Sequence, residues 1–296
     1  MIDRVLAPES PFSKRCFFLA RRFVAGASID EAIAAVARLN DAGMTATLDF
    51  LGEDVLDAAA ATQTRDTYFA MLDAIAQHGL RSNVSVKLTA MGLLIDEDVA
   101  YENLCAILKH ACAVAQDPFV RIDMEGSSVT EATLRVFARA FQTNTNVGPV
   151  LQAYLHRTPQ DIENMIALGA RVRLCKGAYR EPPEIALQNM SDIRIHYLAC
   201  AMRLLERGIY PGIATHDRRL IAAVRAIAGE RGIGPERFEF QMLYGVRPAV
   251  QRELVASGYN LRIYVPFGTH WAGYFYRRVT ERRENALFAF SSIFSR

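Results

Sequence analysis

The sequence predicts an α/β fold, a distorted (βα)8 barrel of TIM type, on three observations. Eight short β-rich runs bounded by turn signals are spread along the chain, and helical patterns separate most of them. No GxGxxG loop follows the first run, as it would in an open doubly wound sheet built for a dinucleotide. The 296 residues are 51% hydrophobic, and no Pro/Gly/Ser-rich linker or charge block divides them, so residues 1–296 are expected to form one domain. Within it, 1–44 read as an N-terminal helical segment, 45–268 as the barrel and 269–296 as a C-terminal helix.

The first element is an extra helix over SIDEAIAAVARLNDAG, opened by a capping box from Ser28 to Glu31. The eight runs then follow as TATLDFL (45–51), NVSVKLTA (83–90), FVRIDME (119–125), GPVLQAYL (148–155), RVRLCKGA (171–178), GIATHD (212–217), FEFQML (238–243) and LRIYVPFG (261–268). Between them lie amphipathic stretches such as TRDTYFAMLDAIAQHG, YENLCAILKHACAVA, TPQDIENMIALG and DRRLIAAVRAIAGERG, several closed by a glycine suited to the position after a helix end. The last helix carries Arg277 and Arg278, one turn beyond Trp271, Tyr274 and Phe275. Adjacent helix positions differ by about 100° of rotation, so both guanidinium groups can converge on one carboxylate, with Glu281 spaced to hold them. The plain alternative is a solvated basic face, which leaves the three aromatic residues unexplained.

Composition excludes several classes. A net charge of +2 with no basic, aromatic-interleaved module argues against nucleic acid. The five cysteines (Cys16, Cys105, Cys112, Cys175, Cys200) make no CxxC or Cys/His ligand spacing, which fits reduced thiols in a cytoplasm and no metal site. No apolar run approaches the roughly 20 residues of a spanning helix. KRCFFLARRFVAG near the start and LFAFSSIF at the end read as helices docked on the core, with peripheral contact at the inner membrane as the alternative.

In such a barrel the active site is built at the carboxyl ends of the strands. Polar residues late in the runs are Asp49, Lys87, Asp123 with Glu125, Gln152, Arg173 with Lys176, Thr215 with His216, Gln241, and Tyr264. Lys87 is placed to be a Schiff-base nucleophile, a carboxylate anchor, or the ion-pair partner of Asp49 or Asp123. Arg173 and Lys176 put two cations at the end of the fifth run before Gly177, a seat for an electron-rich cofactor edge or a phosphate. Asp123 and Glu125, two apart in a strand, could form an acid/base pair. His216 could be a metal ligand, an acid/base or a hydrogen-bonding contact, with metal the weakest of these because no ligand set accompanies it.

These motifs resemble, in order along most of the chain, a known family. They are LDFLGE (48–53), SVKLTA (85–90), RIDMEG (121–126), VLQAYL (150–155), RLCKGAY (173–179), ATHD (214–217), FEFQMLYG (238–245), YVPFG (264–268) and RRVTERREN (277–285). The family is the proline dehydrogenases, here of monofunctional bacterial type, flavoenzymes that share a catalytic domain with the bifunctional proline utilization A proteins. The resemblance implies FAD across the carboxyl ends of the strands and a last helix roofing the substrate pocket. It implies Arg277, Arg278 and Lys87 on the proline carboxylate, ordered by Glu281, and Tyr179, Leu243 and Tyr264 around the ring. Asp123, Arg173 and Gln152 fall around the flavin ring, with Met124, Lys176, Gly177, Ala178, Thr215 and His216 along the rest of the cofactor. The implied reaction oxidises L-proline to 1-pyrroline-5-carboxylate by hydride transfer to flavin N5, with electrons passed to a membrane quinone. The chain ends after the roof helix, so the product would pass to a separate pyrroline-5-carboxylate dehydrogenase. Tyr264 resembles the proline-preferring rather than the hydroxyproline-preferring site. A hydroxyproline dehydrogenase and a lysine-dependent barrel aldolase are the alternatives. Arg180 departs from the bifunctional relatives, which carry an aromatic residue there, and this bears on stacking against the cofactor.

Overall fold

The computed structural model describes residues 20–280, the last five by backbone alone. Helix α1 (Ile29–Asp41) comes first, and its capping box is formed: Glu31 N donates to Ser28 Oγ at 3.3 Å, and Ala27 and Ser28 N donate to Glu31 Oε2. Its apolar stripe of Ala32, Ile33, Ala35 and Val36 is buried beside the first and last strands.

Eight strands follow, each with a helix after it: β1 (Thr45–Phe50), α2 (Ala58–Gln77), β2 (Ser82–Val86), α3 (Glu97–Val114), β3 (Val120–Ile122), α4 (Ser127–Phe141), β4 (Val147–Gln152), α5 (Thr158–Leu168), β5 (Arg173–Cys175), α6 (Met190–Arg207), β6 (Gly212–Ala214), α7 (Arg218–Glu230), β7 (Glu239–Leu243), α8 (Pro248–Ala256), β8 (Leu261–Phe267) and α9 (Trp271–Thr280). All strands are parallel, and β8 pairs with β1 to close the barrel. All eight expected strands form, but most end earlier than the β-rich runs did. The run at 83–90 stops at Val86 and turns into a short 3-10 helix over Thr89–Met91, and the run at 171–178 stops at Cys175, before Gly177.

The main apolar core lies between barrel and helices, because one face of each strand supplies it: Ala46 and Leu48, Val84 and Val86, Val120 and Ile122, Phe240 and Met242, Ile263 and Val265. The alternate residues point into the barrel, and they are polar over its whole depth rather than at the strand ends alone. Near the amino-terminal end, Arg262 Nε donates to Glu239 Oε1 (2.9 Å), its Nη1 to Ala46 O (2.8 Å), and Gln241 Nε2 to Glu239 Oε1 (2.5 Å). Glycines make room for these long side chains. A Cβ at Gly212 would lie 2.4 Å from Gln241 Nε2, and one at Gly148 would lie 2.9 Å from Arg121 Nη1 and 2.1 Å from the backbone oxygen of Arg171.

A second small apolar cluster joins Ala20, Phe23 and Val24 to Leu51, Trp271 and Tyr274. The described part of the basic N-terminal segment is therefore docked as expected, though residues 21–24 form turns and a bend rather than helix. The roof aromatics have the same explanation, since they hold α9 against this segment. No described helix is long and apolar enough to cross a membrane.

Candidate active site at the barrel mouth

Asp123 sits one residue past β3, where its N–H donates to Val86 O at 2.8 Å. Its carboxylate gathers four donors from three strands or the residues just after them. Oδ1 accepts from Ser85 Oγ (2.6 Å) and Arg173 Nη1 (2.8 Å), while Oδ2 accepts from Tyr264 OH (2.7 Å) and Lys87 Nζ (3.5 Å). Lys87 also donates to Asp49 Oδ1 at 2.6 Å and to Tyr264 OH at 3.3 Å. Arg173 crosses the barrel, its guanidinium 5.4 Å from the Tyr264 ring centre and its Nε donating to Gln241 Oε1. The network thus spans β1, β2, β3, β5, β7 and β8 or the residues just after them.

Burial and charge act against each other here. Burial alone would lower the Lys87 pKa, but the carboxylates of Asp49 and Asp123 outweigh it and hold the ammonium well above its usual range. Burial alone would raise Asp123, yet Lys87, Arg173 and the hydroxyls of Ser85 and Tyr264 pull it below its usual value. Asp49 is fully buried, and desolvation pushes it up to about 6 against the pull of Lys87. Burial, with Asp123 beside it, keeps the Tyr264 phenol neutral. A lysine held charged between two carboxylates is a poor Schiff-base nucleophile and a good electrostatic anchor. The ion-pair reading of Lys87 is what the geometry shows.

Two expectations need correction. Arg173 opens β5 rather than ending it, so it and Lys176 are not a pair of strand-end cations. Arg173 reaches Asp123 across the interior, while Lys176 lies just past the strand at 3.4 Å from Asp217 Oδ2. Asp123 and Glu125 are also not an acid/base pair. β3 ends at Ile122, and Glu125 turns away to accept from Thr89 Oγ1 (2.5 Å) and Thr89 N (3.3 Å), while burial pushes its carboxyl up to about 7.

The residues proposed for a cofactor lie in the segments after β3 to β6. Met124 is buried in the main core, and Gln152 ends β4 with its Nε2 donating to Glu125 O at 2.9 Å. Gly177 has φ +113, and a Cβ there would lie 2.1 Å from the Tyr154 ring, so glycine is required by conformation and by space. It leaves open backbone beside exposed Ala178 and half-exposed Lys176. Thr215 Oγ1 accepts from Asp217 N (3.1 Å), and His216 Nε2 accepts from Leu243 N (3.3 Å), which ties the loop after β6 to the end of β7. A bare backbone stretch with a lysine, next to a buried arginine, fits a flat, electron-rich group carrying phosphates.

Leu243 ends β7 half-buried, and Tyr179 lies half-buried by Gly126. Arg277 and Arg278 are on α9 by backbone, their side chains outside the description. Glu281 and LFAFSSIF lie outside the described residues. Among the described residues no group of three or more His, Cys, Asp or Glu could hold a metal ion. The reading of the sequence missed Ser85 and Thr89. Ser85 shares the inward phase of Lys87, the only hint available.

The proline dehydrogenase family profile matches residues 32–290. "Proline dehydrogenase 1" of Bacillus subtilis (strain 168) is 42% identical over 274 residues, covering 93% of this chain and 90% of that protein. "Proline dehydrogenase" of Deinococcus radiodurans is 38% identical over 275 residues, covering 91% and 88%. The crystal structure of proline utilization A from Bdellovibrio bacteriovorus inactivated by N-propargylglycine superposes with a TM-score of 0.86 at 28% identity, over 94% of this chain and 34% of that longer one.

Proposed function

This chain belongs to the proline dehydrogenase family, and from that premise we propose that it oxidises L-proline to 1-pyrroline-5-carboxylate with FAD, passing electrons to a membrane quinone. The observation that carries the reading is the buried cluster of Lys87, Asp123, Arg173 and Tyr264 at the barrel mouth. When bound, the flavin would accept hydride from the ring carbon beside nitrogen. The chain's own residues position and polarise. Lys87, kept charged by Asp49 and Asp123, and the arginines of α9 bind the carboxylate; Tyr179, Leu243 and Tyr264 bound the ring. Asp123 fixes Arg173 and Tyr264 in place before substrate arrives, so no reorganisation is needed at the moment of reaction. Arg173, Gln152 and Asp123 would border the flavin ring, with Met124, Lys176, Gly177, Ala178, Thr215 and His216 holding the rest. Tyr264 would exclude a ring hydroxyl sterically. Reaching a quinone calls for peripheral contact with a membrane, and the product would pass to a separate dehydrogenase.

The test is the visible spectrum of the purified, FAD-supplied protein under anaerobic conditions, before and after L-proline, with hydroxyproline as comparison. A flavin band that bleaches with proline and not with hydroxyproline is expected. A band indifferent to proline would sink the substrate assignment, and no band at all would sink the cofactor.

A further inference from the structure

Three oxygens inside the barrel, Thr47 Oγ1, Asp49 Oδ2 and Asn83 Oδ1, have no hydrogen-bond partner among the described residues. Their residues are 1%, 0% and 3% exposed. Buried polar atoms of this kind are almost always satisfied by protein or by bound water. All three belong to adjacent strands with one inward phase: Thr47 pairs with Asn83 in the register of β1 and β2, and Asp49, two residues on, pairs with Ser85. Oxygens on neighbouring positions of one sheet face are separated by about 5 Å across strands and about 6.6 Å along one. One water spans the first gap and two in series span the second.

The row has two open ends. At the mouth, Asp49 Oδ1 accepts from Lys87, whose side chain is 9% exposed. At the other face, Asn83 Nδ2 donates to Asp117 Oδ2 (3.2 Å), and the Asp117 side chain is 36% exposed. We infer that these oxygens hold a file of bound waters through the barrel, and that the file carries the proton released by the substrate amine from Lys87 and Asp49 to Asp117 at the opposite face.

The inference rests on the proposed amine oxidation, which needs a neutral nitrogen and therefore loses a proton where substrate and cofactor cover the mouth. Lys87 hands one proton to Asp49 and takes one from the substrate ammonium. The substrate N–H bond breaks, an O–H bond forms on Asp49, and the bonding electrons stay on nitrogen. Asp49 suits this duty better than Asp123. Its carboxyl titrates near 6, whereas Asp123, facing Lys87, Arg173, Ser85 and Tyr264, is held ionised. The proton then leaves through the waters that satisfy Asp49 Oδ2, Thr47 Oγ1 and Asn83 Oδ1.

The test uses Thr47→Val, which removes one oxygen at nearly constant shape, with Asn83→Leu as a second variant. Flavin-loaded protein is mixed anaerobically with proline in weakly buffered pH-indicator dye, and proton release is timed against flavin bleaching. The two should coincide in the parent and separate by about tenfold or more in Thr47→Val. Release that stays in step with bleaching in both variants overturns the route. Two readouts do not need activity. An atomic-resolution crystal structure should show water on all three oxygens. Thr47→Val should not raise the Tm, as it would if the hydroxyl were stranded in a dry core. A dry interior overturns the inference even in an active enzyme. A parent whose flavin proline cannot reduce removes the functional reading and the proton's source with it, while the water density is decided separately.

Discussion

The ion cluster at the mouth predicts a specific failure of additivity. Asp49, Asp123, Lys87 and Arg173 sum to zero charge when both carboxylates are ionised, which at pH 8 lies above the value near 6 for Asp49. Asp123→Asn leaves a buried surplus positive charge with Arg173, 2.8 Å away, as the main orphan. Removing one partner of such a pair costs about 3–5 kcal/mol. At about 2–4 °C per kcal/mol, the Tm should fall by roughly 10 °C. Arg173→Met leaves the opposite surplus at similar cost. The double variant returns the cluster to the neutral Lys87–Asp49 pair at 2.6 Å, so its cost should fall short of the sum by about 1.5–3 kcal/mol. Urea unfolding at pH 8 of the four proteins measures this. Additivity within about 0.5 kcal/mol would refute the idea that charge balance inside the barrel, rather than packing, ties these residues together.

Glu125 supplies a pH test. Its carboxyl is raised to about 7 in the fold by burial, so between its unfolded value near 4.5 and 7 the folded chain binds more protons than the unfolded one, and stability falls as pH rises through that window. Between pH 5 and 8 Glu125→Gln should lose about 2–3 kcal/mol less than the parent in urea unfolding; an identical slope would mean Glu125 titrates normally. Gly177→Ala forces a side chain at φ +113 into the Tyr154 ring, which should cost about 1–3 kcal/mol and reduce bound flavin per chain. An unchanged Tm and unchanged 450 nm absorbance would show that the backbone there is not constrained. Arg278→Ala should weaken proline binding by about 10- to 100-fold through loss of a charge-assisted contact, read by titration of the flavin spectrum, and parent-like affinity would exclude the clamp.

The fold was legible because strand and helix alternate with little between them, and because the Ser28–Glu31 spacing announces a helix start on its own. The mouth was legible in part, through Lys87, Asp123, Arg173 and Tyr264. Two features were not, for a common reason. Strand phase carries over from one residue to the next only while the strand lasts, and β3 ends at Ile122 and β5 at Cys175. The alternation that predicted a shared direction for Asp123 and Glu125 has therefore lapsed by Glu125. Ser85 acquires its role only when Asp123 and Arg173 arrive from other strands, and nothing in its local pattern encodes that meeting.

Charge balance also constrains how a substrate can be held. The cations at the mouth are already matched, Lys87 by Asp49 and Asp123 and Arg173 by Asp123; deeper in the barrel Arg262 pairs with Glu239 and Asp117, and Arg121 is held by the carbonyls of Pro149 and Arg171. A carboxylate seated at the mouth adds a negative charge to a neutral, poorly solvated cluster, and desolvation would oppose it unless new positive charge comes with it. The polar interior cannot supply that charge without breaking its own pairs. It must come from outside the barrel, and α9, packed through Trp271 and Tyr274 on Phe23, Val24 and Leu51, is the helix on which Arg277 and Arg278 stand. On this argument the barrel interior sets the geometry of the reaction, while affinity for the substrate depends on the seating of α9. Shortening Trp271 to Leu should then raise the proline Kd while leaving the rate of flavin reduction at saturating proline close to that of the parent. A fall in that rate at unchanged Kd would place the helix in the chemistry instead.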